Sequence, residues 1–177
     1  FLGDRDGPAP GSVVAPTLEG SRPILVEVQA LVAPTSYPSP RRTASGFDVN
    51  RLALLVAVLG RRAGIGLGTH DVYVNLAGGL ALSDPGLDLP VGLALASSLR
   101  DRPVSASSVA VGEVGLLGEL RPVGGLERRL REAARLGFAR AIIPRAGRAA
   151  PQTDGIEVVP ASTLAQAIEF TLVPPTS

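Results

Sequence analysis

Between Val109 and Pro144 the chain reads VAVGEVGLLGELRPVGGLERRLREAARLGFARAIIP, and this stretch constrains the fold more than any other. Val109 and Val111 open a strand, and Gly112, Gly115 and Gly118 permit turns that residues with a Cβ resist. Leu120 to Val123 then runs extended into Gly124-Gly125. Leu126, Leu130, Ala133 and Ala134 fall at i, i+4, i+7 and i+8, one stripe of a helix, and Gly137 stands where a left-handed helix stop is expected. Glu127 precedes Arg131 by four residues, the favourable order for a helical ion pair, and Arg128, Arg131 and Arg135 read as a solvated face. Strand, turn, strand, helix, strand is an α/β pattern.

The same stretch resembles the proteolytic domain of Lon proteases, in which a turn-rich strand pair leads into a GGL helix carrying the catalytic lysine. Here the residue after GGL is Glu127. The family's nucleophilic serine lies in a PSAG run at the start of an earlier helix; the matching run is LPVG, which puts Pro90 at the serine's place. With both dyad positions degenerate, the chain resembles the C-terminal Lon protease-like domain of the bacterial RadA (Sms) family. That likeness extends through GSVVAPTLEGSRPILVEVQALV (11–32), RRTASGFDVNRLALLVAVL (41–59), DVYVNLAGGL (71–80) and SSLRDRPV (97–104). It implies the ribosomal-protein-S5-domain-2-like fold with a mixed sheet and flanking helices, and a non-proteolytic module of a DNA recombination and repair protein. It also implies a homo-hexameric ring and branch migration driven by an upstream ATPase domain, which together with a zinc finger would hold ATP, Mg and Zn. No cofactor is expected in this stretch. A recombinase is a further partner that the resemblance allows.

The residues set their own limits. At 177 residues, one domain over 12–172 is expected, with 1–11 a Pro- and Gly-rich linker from a preceding domain and 173–177 a tail. The absence of Met, even at position 1, predicts a piece of a longer protein. All 17 basic residues are Arg. Without Lys the chain has neither the base of a Ser-Lys dyad nor the lysine a P-loop needs, so no catalysis is expected of it. It has no Cys, which excludes disulfides and thiolate metal sites and accords with a cytoplasmic setting. No apolar run reaches the ~18 residues of a membrane span. A single histidine, His70, has no second to share a metal and reads as a loop residue.

Along the chain, Ser12 to Pro16 begins a strand and 24–32 forms one with a buried face. The stretch 34–45, with three prolines, Ser and Thr, reads as an exposed loop. Asp48 caps a helix over 49–62 that is apolar on more than one side, and 72–77 is a strand. Asp88 caps a helix over 89–99 with Pro90 in its first turn. Strands at 141–144 and 156–159 precede a helix to about 170, opened by the Thr163/Gln166 capping box.

Net charge is only +1, so nucleic-acid binding requires local clustering. Arg41, Arg42, Arg100, Arg102 and Arg140 all fall at element ends, which can converge on one rim of an α/β domain. They are the expected contacts for sequence-independent binding to duplex and single-stranded DNA, with Arg41 and Arg42 leading. Two Tyr and four Phe offer little for base stacking, so duplex is expected to bind at least as well as single strands. A purely structural ring-assembly domain is the alternative; a residual serine protease is the remote one. A mean hydropathy of +0.28 favours apolar surface covered by assembly.

Overall fold

The computed structural model describes residues 9–145 and 151–172; residues 1–8 of the expected linker and the whole expected tail over 173–177 lie outside them. The described residues build a mixed seven-stranded sheet of order β3-β4-β2-β1-β5-β8-β9, with β6 and β7 forming a separate hairpin. The strands are β1 (Ser12–Glu19), β2 (Arg22–Pro34), β3 (Arg42–Ser45), β4 (His70–Leu76), β5 (Ser108–Ala110), β6 (Glu113–Val114), β7 (Leu120–Arg121), β8 (Arg140–Pro144) and β9 (Glu157–Ala161). Four helices accompany them: α1 (Val49–Arg62), α2 (Asp88–Arg100), α3 (Leu126–Arg135) and α4 (Leu164–Thr171). Among the described residues, no helix is long and apolar enough to cross a membrane.

Strand alternation divides the core in two. Val13 and Ala15 of β1 and Ile142 of β8 join residues of α1, α2 and α4 in the larger cluster. Their neighbours Val14, Ala141 and Ile143 point the other way and pack with Leu130 and Ala133 of α3. The helix buried on nearly every side is α2, from Asp88 through Ser97, which accords with its run of Leu, Val and Ala. In α1, by contrast, Leu52, Leu55, Val58 and Leu59 form one buried stripe while Ala53 and Ala57 are exposed. This differs from the all-round burial its apolarity predicts, because small alanines can face water at little cost.

α3 covers only part of its face. Beyond it, β2, β4 and β3 leave an open patch in which Leu31, Tyr73 and Thr43 stand in one cross-strand row and Gln29, Asn75 and Ser45 in the next. Leu31 is 58% exposed. The expected loop over 34–45 is thus shorter than its composition predicts: β2 continues to Pro34 and β3 starts at Arg42, leaving 35–41 to connect them. That composition hid a short edge strand, in which exposed Thr43 and Ser45 alternate with Ala44, packed on the larger core.

Other expectations stand with adjustments. Asp48 accepts from Asn50 N–H at 3.0 Å and caps α1, and Thr163 accepts from Gln166 N–H at 3.1 Å to open α4. Gly137 follows α3 at φ +93°, with its own N–H donating to Ala134 O at 3.1 Å. Asp88 is not a cap. It is the buried first residue of α2, and the capping aspartate is Asp84, which accepts from Gly86 N–H at 2.9 Å ahead of a 3-10 turn at Pro85–Leu87. On α3 the ion pair formed is Arg135 with Glu132; the expected Glu127–Arg131 pair is not made among the described residues.

Candidate nucleic-acid interface

The sheet's mixed order brings five of the arginines to one end of it. β1, β5, β8 and β9 are mutually parallel, β3 parallels β4, and β2 runs antiparallel to both β1 and β4, so six strands start at the end where β2 finishes. α2 finishes there too. Ser97 Oγ accepts from Gly11 N–H at 2.9 Å and Ser98 Oγ from Val32 N–H at 3.0 Å, tying its last turn over the β1/β2 ends. Arg41 and Arg42 therefore stand at the start of β3, Arg100 and Arg102 at the end of α2, and Arg140 at the start of β8. From β3 to β8 are five strand steps of ~4.8 Å, a rim of roughly 24 Å, close to the length of seven base pairs at ~3.4 Å each.

Adjacent arginines on this rim do different things. Arg41 shares the outward parity of Thr43; its guanidinium lies 4.6 Å from the centre of the exposed Tyr37 ring, and its backbone N–H donates to Asp71 Oδ1 at 2.7 Å. Arg42 has the opposite parity. It donates to His70 O at 2.6 Å and Leu67 O at 3.0 Å, tying the β3 edge to the loop ahead of β4. Arg42→Ala is therefore expected to lower stability by about 1–2 kcal/mol in urea unfolding, whereas Arg41→Ala changes it by under ~0.5 kcal/mol.

Arg100 is exposed, and Asp101, between Arg100 and Arg102 in the sequence, ends α2 in the left-handed region at φ 53°. The Arg102 backbone is held by Ser97, whose Oγ donates to Arg102 O at 2.5 Å. Arg140 Nε is buried with no acceptor, a state that costs free energy. His70 sits at the start of β4, with its Nδ1 3.4 Å from Thr69 Oγ1.

Pro90 and Glu127, the expected positions of a degenerate dyad, lie on helices packed against opposite sheet faces. Pro90 is buried in the first turn of α2. Glu127 is exposed in the first turn of α3, beside a shallow cavity lined by Arg131, Gln152, Thr153 and Asp154.

Two ion-pair networks join partners far apart in the sequence. Arg129, 3% exposed, donates to Asp84 Oδ2 at 2.5 Å, Asp84 Oδ1 at 3.0 Å, Pro16 O at 3.1 Å and Gly124 O at 2.9 Å. Thr17 Oγ1 also donates to Asp84, at 2.6 Å. Burial works to raise the Asp84 carboxyl, but the hydrogen bonds from Arg129, Thr17 and Gly86 N–H outweigh it and hold the group below its usual range. Arg51 pairs with Asp88, which also accepts from Val114 N–H at 3.0 Å. There burial prevails over the Arg51 and Val114 hydrogen bonds, and Asp88 is raised. Between these networks lies a cavity of about 320 Å³ bordered by Phe47, Asp48 and Glu113.

Residues 53–147 match the family model described as subunit ChlI of Mg-chelatase. The chain is 47% identical over 175 residues to DNA repair protein RadA of Halalkalibacterium halodurans and 46% identical over 175 residues to that of Bacillus subtilis. In each case 97% of this chain and 38% of the relative are covered. Against DNA repair protein RadA of Synechocystis the identity is 45% over 172 residues, covering 97% of this chain and 34% of the relative. The chain thus spans little more than a third of the length of these relatives.

Proposed function

We propose that the chain, which belongs to the family described as subunit ChlI of Mg-chelatase and is similar to DNA repair proteins named RadA, is a non-proteolytic, DNA-binding module of a repair and recombination protein. The observation that carries this reading is the gathering of Arg41, Arg100, Arg102 and Arg140 at one end of a rigid sheet. Guanidinium forks suit phosphate oxygens and carry no base code, so the binding is to the backbone and indifferent to sequence. Arg42, committed to the carbonyls of Arg41, His70 and Leu67, holds the β3 edge in place beside them. In a protein of the relatives' length this rim would serve branch migration driven by an ATPase domain outside these residues.

The test is a mobility-shift titration of the chain against a duplex of about 30 base pairs, several times the length of the rim, with the quadruple variant Arg41→Ala, Arg100→Ala, Arg102→Ala, Arg140→Ala beside it. Binding by the parent and its loss in the variant support the reading. If the parent does not bind, a ring-assembly role without DNA contact replaces it.

Assembly into a six-membered ring is the second part of the proposal. It is supported by the β6–β7 hairpin, whose tip exposes Leu116 and Leu117 at 69% and 68%. The Glu119 carboxylate accepts from Leu117 N–H at 3.1 Å and Gly118 N–H donates to Gly115 O at 2.9 Å, so the tip is pre-formed for burial against a neighbouring copy. As to catalysis, Pro90 offers no nucleophile and Glu127 no base of the lysine kind. Pure protein is therefore expected to leave unfolded casein intact in an overnight incubation followed on a denaturing gel.

A further inference from the structure

We propose that the open sheet face of β2, β4 and β3 is a platform for single-stranded nucleic acid, on which an unpaired base stacks against Tyr73. The inference rests on the DNA-binding reading and adds to it a second surface with a different chemistry. The rim arginines address phosphates of either duplex or single strands. The face beside them addresses bases, which a duplex keeps inside its own stack.

Three observations carry it. The Tyr73 side chain is partly exposed at the centre of the patch, flanked in register by the exposed Leu31 and Thr43. The next row, Gln29, Asn75 and Ser45, presents neutral amides and a hydroxyl, groups that donate to and accept from base edges. Arg41 has the parity of this face, and its guanidinium over Tyr37 puts a cation where the strand's backbone would leave the platform.

Size argues against a second copy of the chain as occupant. Three strands ~4.8 Å apart and about six residues long at ~3.3 Å span roughly 300 Å², against the ~800 Å² that each side of a stable interface buries. With only Leu31 and Tyr73 as large apolar groups, the patch lacks the apolar core such an interface needs.

The test is fluorescence anisotropy of the chain with labelled dT12 and a duplex of the same length. Tyr73→Ala is expected to weaken dT12 binding by about 5- to 150-fold and to leave duplex binding within about twofold. Tyr73→Phe should retain dT12 binding. Thr43→Tyr, on the exposed edge strand, should strengthen it by adding a second ring. If Tyr73→Ala and Thr43→Tyr leave dT12 unchanged while Arg41→Ala weakens both ligands, the platform is overturned and the rim reading stands. If the parent binds neither ligand, both fall. Equal loss on duplex and dT12 with a lowered melting temperature makes Tyr73 structural and also overturns the platform. A Leu31→Asp variant that changes sedimentation rather than dT12 affinity assigns the face to copy–copy contact and overturns it likewise.

Discussion

Arg129→Ala is expected to lower the unfolding free energy by about 3–5 kcal/mol, a large part of the ~5–15 kcal/mol of a typical domain. The measurement is the urea midpoint, with the slope unchanged. The reason lies in what the truncation leaves behind. Arg129 and Asp84 are 3% and 7% exposed, and Asp84 would remain buried without the cation that holds it ionised. Pro16 O and Gly124 O would lose their donor as well, so one change loosens α3, β1 and the 3-10 turn together. Arg129→Lys should recover only part, since an ammonium cannot reproduce a fork that reaches two carboxylate oxygens and two carbonyls. Arg128→Ala, one residue earlier but exposed, is the control and should cost under ~0.5 kcal/mol.

The same network sets a pH signature. The folded-state pKa of Asp84 is depressed, so its contribution is present above the unfolded value of about 4 and is lost as pH falls through the folded one. Asp88 is raised and has the opposite sign: it favours folding below its unfolded value, and that gain disappears as pH rises through the folded one. Asp84→Asn should therefore be much less stable than the parent at pH 7, with the difference shrinking as pH drops below about 4.

Arg129 was legible in the sequence, though not as itself. It lies three residues after Leu126, one before Leu130 and four before Ala133, on the buried stripe, and an arginine there implies a buried anion. Arg128, Arg131 and Arg135, read as a solvated face, are all exposed, and Arg129 among them turns the other way. Its partner is beyond local reach, 45 residues earlier in a turn that caps nothing recognisable from spacing alone. The Arg51–Asp88 pair, at a separation of 37 residues, is hidden likewise, and Asp88 takes the place of Asp84 as the expected cap. What can be read are local periodicities: the α3 stripe, its glycine stop, and the Thr163/Gln166 box. The edge strand β3 cannot, because a four-residue strand of Arg, Thr, Ala and Ser owes its existence to pairing with β4 and not to propensity. The convergence of the arginines is a property of strand order, and nothing within any one element encodes it.

That convergence has a quantitative consequence in salt. If Arg41, Arg100, Arg102 and Arg140 each neutralise one phosphate, the log–log slope of duplex affinity against salt is about −3.6, at ~0.9 per contact. Raising salt fourfold, from ~50 to ~200 mM, should then weaken the parent by about 150-fold. Each arginine removed should reduce that factor about 3.5-fold, and the quadruple variant should be nearly insensitive to salt. Because the four residues act on phosphates, the loss should be the same on AT-rich and GC-rich duplexes. Arg42→Ala separates contact from support. Its guanidinium already serves His70 O and Leu67 O, so it should lower affinity with little change of slope, through a loosened β3 edge that carries Arg41. A slope that falls by a full contact on Arg42→Ala, or one that stays put on Arg41→Ala, would exchange the roles assigned to these two neighbours. Strand parity would then not decide which of the two guanidiniums faces the phosphates and which the carbonyls.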